Sequence, residues 1–273
     1  MTWLLWLQGA VLGLVQGATE FIPVSSSGHL VLVPWVFGWG PPGLLFDTMV
    51  HWGTLAALIA IFWQDLWAVI TGWVQGLRAW DFRSPEARLG WYLVLGTVPG
   101  AVLGALLEGF FEGLFASPGA AAGLLLVTGT FLALVERLGE GRRGVREMRA
   151  ADALWVGLAQ AAAIAPGISR SGATIAAGMA CGMRRAAAAR FSFLLSVPII
   201  LGAGLVQLAQ LPGASEAVPQ LPLMAIGFVT AALSGYVVVQ FLLRYLQRRP
   251  LYPFAFYCWA VGLTVLAALA LGL

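Results

Sequence analysis

Charged residues are scarce in this chain of 273 residues, and lysine is missing altogether. Only 10% of the residues are charged, whereas soluble proteins carry about 25%, while 60% are hydrophobic and the mean hydropathy is +0.88. This composition excludes a soluble enzyme, a disordered chain and a nucleic-acid-binding protein. The two cysteines lie in apolar stretches without the spacing of metal ligands, which excludes a disulfide-stapled secreted domain and a zinc site.

What the chain has instead is glycine, tryptophan and long apolar runs. The 34 glycines and 12 tryptophans are typical of a multi-pass membrane protein, in which glycine and interfacial tryptophan are enriched. About 20 apolar residues are needed to cross the hydrocarbon core as a helix. The segments that meet this requirement are Phe46–Trp63, Leu89–Leu107, Gly119–Val135, Phe191–Gln210, Pro222–Leu243 and Phe254–Gly272.

Two further apolar regions are interrupted. Trp3–Leu32 is broken around Pro23, and Asp152–Cys181 is broken around Pro166. Each region contains two stretches too short to span a membrane alone, so we predict a pair of half-helices that forms a re-entrant hairpin. Interrupted segments at matching places in two halves of a membrane protein point to its binding site.

The two halves resemble each other at a constant offset of 144 positions. Residues 13–28 laid over residues 157–172 give seven identities in sixteen, and the strings SSSG and SRSG align without a gap. Each half then holds one hairpin and three spans. A hairpin returns to the side from which it enters, and three spans make an odd number of crossings. The second half must therefore be inverted relative to the first. We predict an all-α polytopic membrane protein, one domain over 1–273, with repeats 1–144 and 145–273.

The placement of arginine predicts the orientation. Fourteen of the 15 arginines fall in four loops, residues 64–88, 136–151, 183–190 and 244–253. The loops without arginine are 33–45, 108–118 and 211–221. Since basic loops face the cytoplasm, we predict both termini and the first hairpin on the outer side, and the second hairpin rising from the cytoplasm. The hairpin tips then meet near the middle of the membrane, with Arg170 at the second tip.

Polar residues are concentrated in the two hairpins. They are Gln16, Glu20, Ser25, Ser26, Ser27, His29, Ser169, Arg170, Ser171 and Thr174. Ser25 or Ser26 in the first hairpin and Ser169 in the second are predicted N-caps. Two helix N-termini with an arginine between them form an anion site that suits phosphate. A purely structural ion pair of Glu20 with Arg170 is the alternative.

Asp47 and His51, one turn apart near the outer end of a span, are interpreted as a structural or pore-rim pair.

Three strings resemble a known family. QGATEFIPVSSSGHL (16–30) and PGISRSGAT (166–174) are similar to the two signature motifs of the bacterial undecaprenyl-diphosphate phosphatases, also called bacitracin resistance proteins; FSFLLSVP (191–198) and the chain length fit as well. The resemblance implies hydrolysis of undecaprenyl diphosphate to undecaprenyl phosphate, which recycles the lipid carrier for peptidoglycan synthesis and confers bacitracin resistance. It also implies the bacterial inner membrane, a site open to the outer, periplasmic face, and a divalent cation, Mg²⁺ or Ca²⁺.

The resemblance also assigns roles by position. The residues assigned to catalysis are Glu20, which is also the expected metal ligand, Ser26, His29 and Arg170. The residues assigned to substrate binding are Gln16, Ser25, Ser27, Ser169, Ser171 and Thr174. Many members have glutamate where this chain has Gln16, which cannot ionise. A magnesium ion would then be held by Glu20, substrate oxygens and water.

Two questions stay open at the level of sequence. The nucleophile is Ser26, His29 or an activated water. The alternative function is a secondary transporter or flippase for a phosphorylated polyprenyl lipid, because inverted repeats with broken helices are a transporter architecture. A homodimer is compatible with the sequence, which selects no oligomeric state.

Overall fold

The chain is helical through the ranges that the computed structural model describes, residues 2–40, 43–209 and 221–272. Within them lie eleven α-helices, one short 3-10 turn and no strand. The helices are α1 (Thr2–Phe21), α2 (Ser26–Phe37), α3 (Leu44–Ala79), α4 (Pro85–Leu106), α5 (Glu108–Phe115), α6 (Pro118–Leu138), α7 (Ala150–Ala162), α8 (Arg170–Ala180), α9 (Arg185–Ala209), α10 (Leu221–Tyr245) and α11 (Tyr252–Ala270). Most of the predicted loop 211–221 lies outside the described residues.

Six of these helices are long and apolar enough to cross a membrane, which confirms the six predicted spans. They are α3, α4, α6, α9, α10 and α11. The predicted loop 64–88 is wrong over most of its length, because α3 continues to Ala79. Its added turns pack on the start of α4, where a Cβ at Gly72 would contact Glu86. Hydropathy marks where apolar residues end, whereas a helix continues as long as packing supports it.

The first limb of the first hairpin runs from Thr2 to Phe21, close to the predicted limits at Trp3 and Pro23. α1 has 20 residues, which at about 1.5 Å per residue approaches the thickness of the hydrocarbon core. By length alone α1 is not too short to span, but it is not among the six helices that are both long and apolar enough to cross a membrane. The expectation of short stretches holds for α2, α7 and α8, with 12, 13 and 11 residues. Gly9 of α1 lies beside Leu223, near the start of α10. The break itself falls after Phe21, next to Pro23 as predicted.

Each hairpin begins with a helix that packs against a span from the other half of the chain. α1 lies along α10, where a Cβ at Gly13 would collide with Gly227 and Thr230. α7 lies along α4, where a Cβ at Gly157 would collide with Gly96. Small residues let helix backbones approach closely in membranes, and Gly13 and Gly157 correspond at the offset of 144. The inversion of the second half and the boundary between the repeats stay predictions.

The breaks that follow α1 and α7 lie against each other, and two glycines permit this contact. A Cβ at Gly28 would come 3.1 Å from Gly167 Cα, and a Cβ at Gly172 would come 3.3 Å from Pro23 Cβ. Gly28 and Gly172 again correspond at the offset of 144. The two hairpin tips therefore meet, as the sequence predicts.

Two carboxylates hold the arginine-bearing segments together at one end of the helix bundle. Glu136 of α6 accepts hydrogen bonds from Arg185 Nε at 2.9 and 3.1 Å and from the N–H of Leu251 at 2.9 Å. Asp152 at the start of α7 accepts from Arg143 at 2.8 and 3.1 Å. These hydrogen bonds to Asp152 raise the pKa of the Arg143 guanidinium above its ordinary value. The segments that follow α6, precede α9 and follow α10 are thus fixed to one another.

Candidate active site

An ion pair between the two hairpins forms the centre of the site. Glu20 lies in the last turn of α1, and Arg170, 150 positions later, is the first residue of α8. Arg170 Nη2 donates to Glu20 Oε1 at 2.5 Å. Glu20 is only 5% exposed, so its charge is buried and paired. The structure therefore brings together the acidic and the basic residue that the sequence predicts at the two tips.

The second carboxylate oxygen of Glu20 is approached from three directions. Gln16, one turn earlier in α1, donates from Nε2 to Oε2 at 3.0 Å. The hydroxyl of Ser26, the first residue of α2, donates to the same oxygen. His51 of α3 places Nε2 at 3.8 Å from it. A serine hydroxyl that donates to a buried carboxylate is arranged to lose its proton to that carboxylate during nucleophilic attack.

Ser25 and Ser169 cap the second helix of each hairpin, as predicted. Ser25 Oγ accepts from the N–H of Gly28 at 3.2 Å and from the N–H of Gly167 at 3.1 Å, so it joins both tips. Ser169 Oγ accepts from the N–H of Gly172 at 3.0 Å. Ser25 has a φ of 69°, a left-handed conformation that is uncommon outside glycine. The first N–H groups of α2 and α8 have no partner within their helices and are available to an anion.

The other predicted binding residues divide into two groups. Ser27 lines the cavity beside the ion pair, 3.3 Å from the Ser25 hydroxyl. Ser171 turns its hydroxyl to the carbonyl oxygen of Ile22 at 3.3 Å, and Thr174 bonds the hydroxyl of Ser192 at 2.6 Å. Ser171 and Thr174 therefore hold the second hairpin in place, and Ser27 is the one available to a ligand.

A cavity of about 880 Å³ opens beside the ion pair. The hairpin residues on its polar wall are Glu20, Ser25, Ser26, Ser27, Ser169 and Arg170. The apolar side chains on the other walls include Leu30, Val31, Ile164, Ile199 and Ile200. A cavity with one charged end and apolar walls suits a ligand that has an anionic head and a hydrocarbon chain.

His29 lies away from the Glu20 carboxylate. Its Nδ1 is 2.7 Å from the carbonyl oxygen of Ser25, and its Nε2 is 2.8 Å from the hydroxyl of Tyr257 on α11. The His29 ring also stacks on Tyr257, with ring centroids 5.7 Å apart. Both ring nitrogens are engaged with protein atoms, so His29 fixes the first hairpin tip against α11.

His51, which the sequence suggests is part of a structural or pore-rim pair with Asp47, lies beside the Glu20 carboxylate. Its Nδ1 lies 2.7 Å from the carbonyl oxygen of Asp47, which directs Nε2 towards Glu20 and the cavity. Asp47 lines the same cavity, and its Oδ1 is buried without a hydrogen-bond partner among the residues that the structure describes. Ionisable residues inside a membrane usually face a cavity, and this rule pointed to Asp47 and His51 as much as to the hairpins.

Arg170 has one hydrogen-bond donor that the protein does not use within the described ranges. Its Nη1 is buried and has no hydrogen-bond partner within the described ranges. An unsatisfied buried donor costs about 1–3 kcal/mol, and an oxygen of a bound anion would recover that cost. Nη1 and the N–H groups at the starts of α2 and α8 are donors of the kind that bind a tetrahedral anion, which makes this end of the cavity a candidate anion site.

The metal ligands that this site can offer fit a magnesium ion that is bound mainly by substrate and water. Within the described residues there is no group of three or more His, Cys, Asp or Glu that could hold a metal. Oε2 of Glu20 accepts two hydrogen bonds and Oε1 accepts one, so Oε1 keeps a lone pair. Magnesium commonly takes one carboxylate and completes its shell with phosphate oxygens and water.

The fold and the site define a class: a multi-pass helical membrane protein whose broken helices build an anion site around a serine–carboxylate pair. Within that class, the chain belongs to the family of the bacitracin resistance protein BacA, which matches residues 9–264. The family resemblance of the two motifs is thereby confirmed.

Three relatives named undecaprenyl-diphosphatase cover nearly the whole chain. The protein of Pelotomaculum thermopropionicum is 46% identical, over 96% of this chain and 96% of its own. The protein of Geobacter sulfurreducens is 44% identical, over 96% of this chain and 98% of its own. The protein of Thermomicrobium roseum is 42% identical, over 95% of this chain and 96% of its own.

Proposed function

We propose that this protein is an integral membrane phosphatase that hydrolyses undecaprenyl diphosphate to undecaprenyl phosphate and inorganic phosphate. The observation that carries the proposal is the Ser26 hydroxyl on the Glu20 carboxylate, beside Arg170, on the polar wall of the cavity. The names of the relatives point to the same substrate. Recycling of the lipid carrier would supply peptidoglycan synthesis and cause resistance to bacitracin.

The diphosphate of the substrate lies at the hairpin tips in this proposal, and the lipid chain occupies the apolar part of the cavity. Arg170 Nη1 and the N–H groups at the starts of α2 and α8 bind the phosphoryl oxygens, with Ser27 as a further donor. Donors that are fixed before the reaction stabilise charge as it moves from the attacking to the leaving oxygen. His51 supplies a further donor near Glu20.

Ser26 is the nucleophile that the geometry favours. Its Oγ attacks the terminal phosphorus while its proton passes to Glu20; the Oγ–P bond forms, the bond to the bridging oxygen breaks, and undecaprenyl phosphate leaves. After Glu20 has released that proton to solvent, it accepts a proton from a water molecule whose oxygen bonds to the phosphorus. The Oγ–P bond breaks, Glu20 returns the proton to Ser26 Oγ, and inorganic phosphate leaves. Both nitrogens of His29 are engaged elsewhere, which disfavours it as the nucleophile. In the remaining alternative, water attacks directly and no phosphoserine forms.

A divalent cation, Mg²⁺ or Ca²⁺, belongs to the proposal as a cofactor held by the free lone pair of Glu20 Oε1 and by phosphate oxygens. Such an ion supplies positive charge that offsets the charge of the diphosphate. Metal removal with a chelator should abolish phosphate release, and the added metal should restore it. Equal activity in the chelator would remove the cation from the proposal.

We further propose an inverted repeat in the bacterial inner membrane, with the cavity open to the periplasmic side. The support is that Trp39 and Phe115, from the arginine-free loops 33–45 and 108–118, line the cavity. A cysteine introduced at Gly40, in a chain without native cysteines, should react with a membrane-impermeant thiol reagent in whole cells. Labelling of a cysteine at Arg142 instead would reverse the orientation.

We propose a homodimer as the first oligomeric state to test. Three neighbouring apolar side chains of α3, Trp63, Trp67 and Ile70, are 57%, 59% and 53% exposed, and a second copy would cover them as lipid does. Cross-linking in native membranes should give a species of twice the monomer mass. A monomer as the sole product would contradict the dimer.

The assay that separates hydrolysis from transport uses purified protein in detergent, where no gradient exists. The proposed phosphatase releases inorganic phosphate from a prenyl diphosphate, whereas a secondary transporter or flippase releases none. Acid-quenched enzyme should carry phosphate on the peptide that contains Ser26. Ser26→Ala should abolish turnover, whereas Ser27→Ala, which removes one donor to phosphate and leaves the Ser26–Glu20 contact intact, should lower turnover only in part. Wild-type turnover by Ser26→Ala would overturn the assignment of the nucleophile.

A further inference from the structure

A second site for an anionic group lies at the C-terminal end of α10. Arg244, Arg248 and Arg249 line a groove of about 520 Å³ there, together with Tyr236 and Phe241. None of the side chains that line the groove is acidic. The ion pairs found among the described residues do not involve these three arginines. The groove therefore concentrates positive charge that the protein itself does not neutralise.

The groove is separate from the candidate active site. Gly227 of α10 lies beside Phe46 and Val50, next to the residues of α3 that line the cavity. Arg244 follows Gly227 along the same helix by a distance of about 25 Å at 1.5 Å per residue. A ligand in the groove would thus occupy the end of the bundle opposite to the cavity.

An apolar stripe leads along α10 into the groove. Val229, Leu233, Val237 and Phe241 follow one another at intervals of four residues, which places them on one face of the helix. Their side chains are 51%, 65%, 66% and 51% exposed. The stripe rises about 18 Å, which is close to half of a hydrocarbon core about 30 Å thick. One leaflet is therefore enough to cover the stripe, and its headgroups would lie at the arginines.

We propose that this groove binds the phosphate of an anionic glycerophospholipid, whose acyl chains lie along the stripe on α10. Guanidinium groups bind phosphate through paired charge-assisted hydrogen bonds. Tyr236 and Tyr245 also line the groove, and tyrosine is enriched where headgroups meet acyl chains. A soluble anion would bind the arginines but would not cover the apolar stripe. A lipid would do both, so the arginines and the stripe together favour a lipid.

The test compares three forms of the full-length protein: wild type, the triple variant R244Q/R248Q/R249Q, and the control R142Q/R146Q/R149Q. The control removes the same number of charges from exposed arginines in the segment between α6 and α7. Binding is measured by native mass spectrometry and by thermal unfolding in detergent with added phosphatidylglycerol, phosphatidylcholine or glycerol phosphate. Elution volume and helical circular dichroism identify any variant that fails to fold.

Wild type and control should retain phosphatidylglycerol and unfold at a higher temperature in its presence than with phosphatidylcholine. The triple variant should bind phosphatidylglycerol about 100-fold more weakly, since each basic residue near an anionic lipid contributes roughly a factor of five. Three results would overturn the proposal: equal binding by the triple variant, an equal loss in the control, or equal stabilisation by phosphatidylcholine. Glycerol phosphate that competes as well as the lipid would show a soluble-anion site and would also overturn it.

Discussion

Replacement of Arg170 by glutamine tests the centre of the site. The substitution leaves the Glu20 carboxylate buried, with hydrogen bonds from Gln16 and Ser26 as its remaining close contacts. Breaking a buried pair costs roughly 3–5 kcal/mol, and we expect the lower end because the Arg170 side chain is 17% exposed. Loss of an arginine that offsets phosphoryl charge lowers the rate by about 10³–10⁵. We expect kcat/KM for a prenyl diphosphate to fall by about 10³ or more.

The double variant E20Q/R170Q distinguishes a substrate clamp from a purely structural ion pair. It contains no uncompensated buried charge, so its thermal unfolding in detergent should return towards that of wild type. If the pair were only structural, phosphate release would return with stability. We expect release to stay at background instead, because both the charge on the phosphoryl group and the acceptor of the Ser26 proton are missing. Release within about tenfold of wild type from Arg170→Gln alone would refute the clamp.

Five further substitutions test three other features. His51→Ala should lower kcat/KM about 10- to 100-fold, because the proposed hydrogen bond from His51 to the charged phosphate is lost. A hydrogen bond to a charged group contributes about 1.5–3 kcal/mol; unchanged kinetics would remove His51 from the site. Ser25→Ala should destabilise the protein by about 2 kcal/mol, through the lost cap and an unsatisfied N–H. Ser25→Gly should cost less, because glycine adopts a φ of 69° freely; the reverse order in thermal unfolding would contradict this reasoning. Arg185→Gln should cost about 3–5 kcal/mol, since Glu136 is left buried, whereas Arg190→Gln, in an exposed pair, should cost about 0–1 kcal/mol. Equal unfolding temperatures for the last two variants would count against a buried pair.

The part of the fold that the sequence predicts follows from local rules. Long apolar runs locate the six spans, and proline next to serine locates both breaks and their caps at Ser25 and Ser169. The contact of Glu20 with Arg170 is a long-range feature, yet it was predictable because the repeat and the arginine count place both tips at one depth. The internal repeat therefore predicts a contact between residues far apart in the sequence, whereas helix propensity predicts only local structure.

What the sequence does not predict depends on tertiary contacts between helices that share no motif. His29 follows the signature serines, but its Nε2 is bonded to Tyr257, 228 positions away, and this removes it from the carboxylate. His51 belongs to a span, and the rule for ionisable residues in membranes indicates that it faces a cavity, but its place beside Glu20 depends on the packing of α3 against α1. The length of α3 likewise depends on its contact with the start of α4.

The breaks in the two hairpins explain why an anion site can exist inside a membrane. A continuous helix satisfies its own N–H groups, whereas a break inside hydrocarbon leaves donors that must find partners. Ser25 satisfies one N–H in each tip, at Gly28 and at Gly167, and so fixes the two hairpins relative to each other. Arg170 Nη1, a donor without a partner among the described residues, lies beside the Glu20–Ser26 pair, as do the starts of α2 and α8. The cost of interrupting two helices is therefore recovered when a phosphoryl group binds, which couples the stability of the tips to occupation of the site.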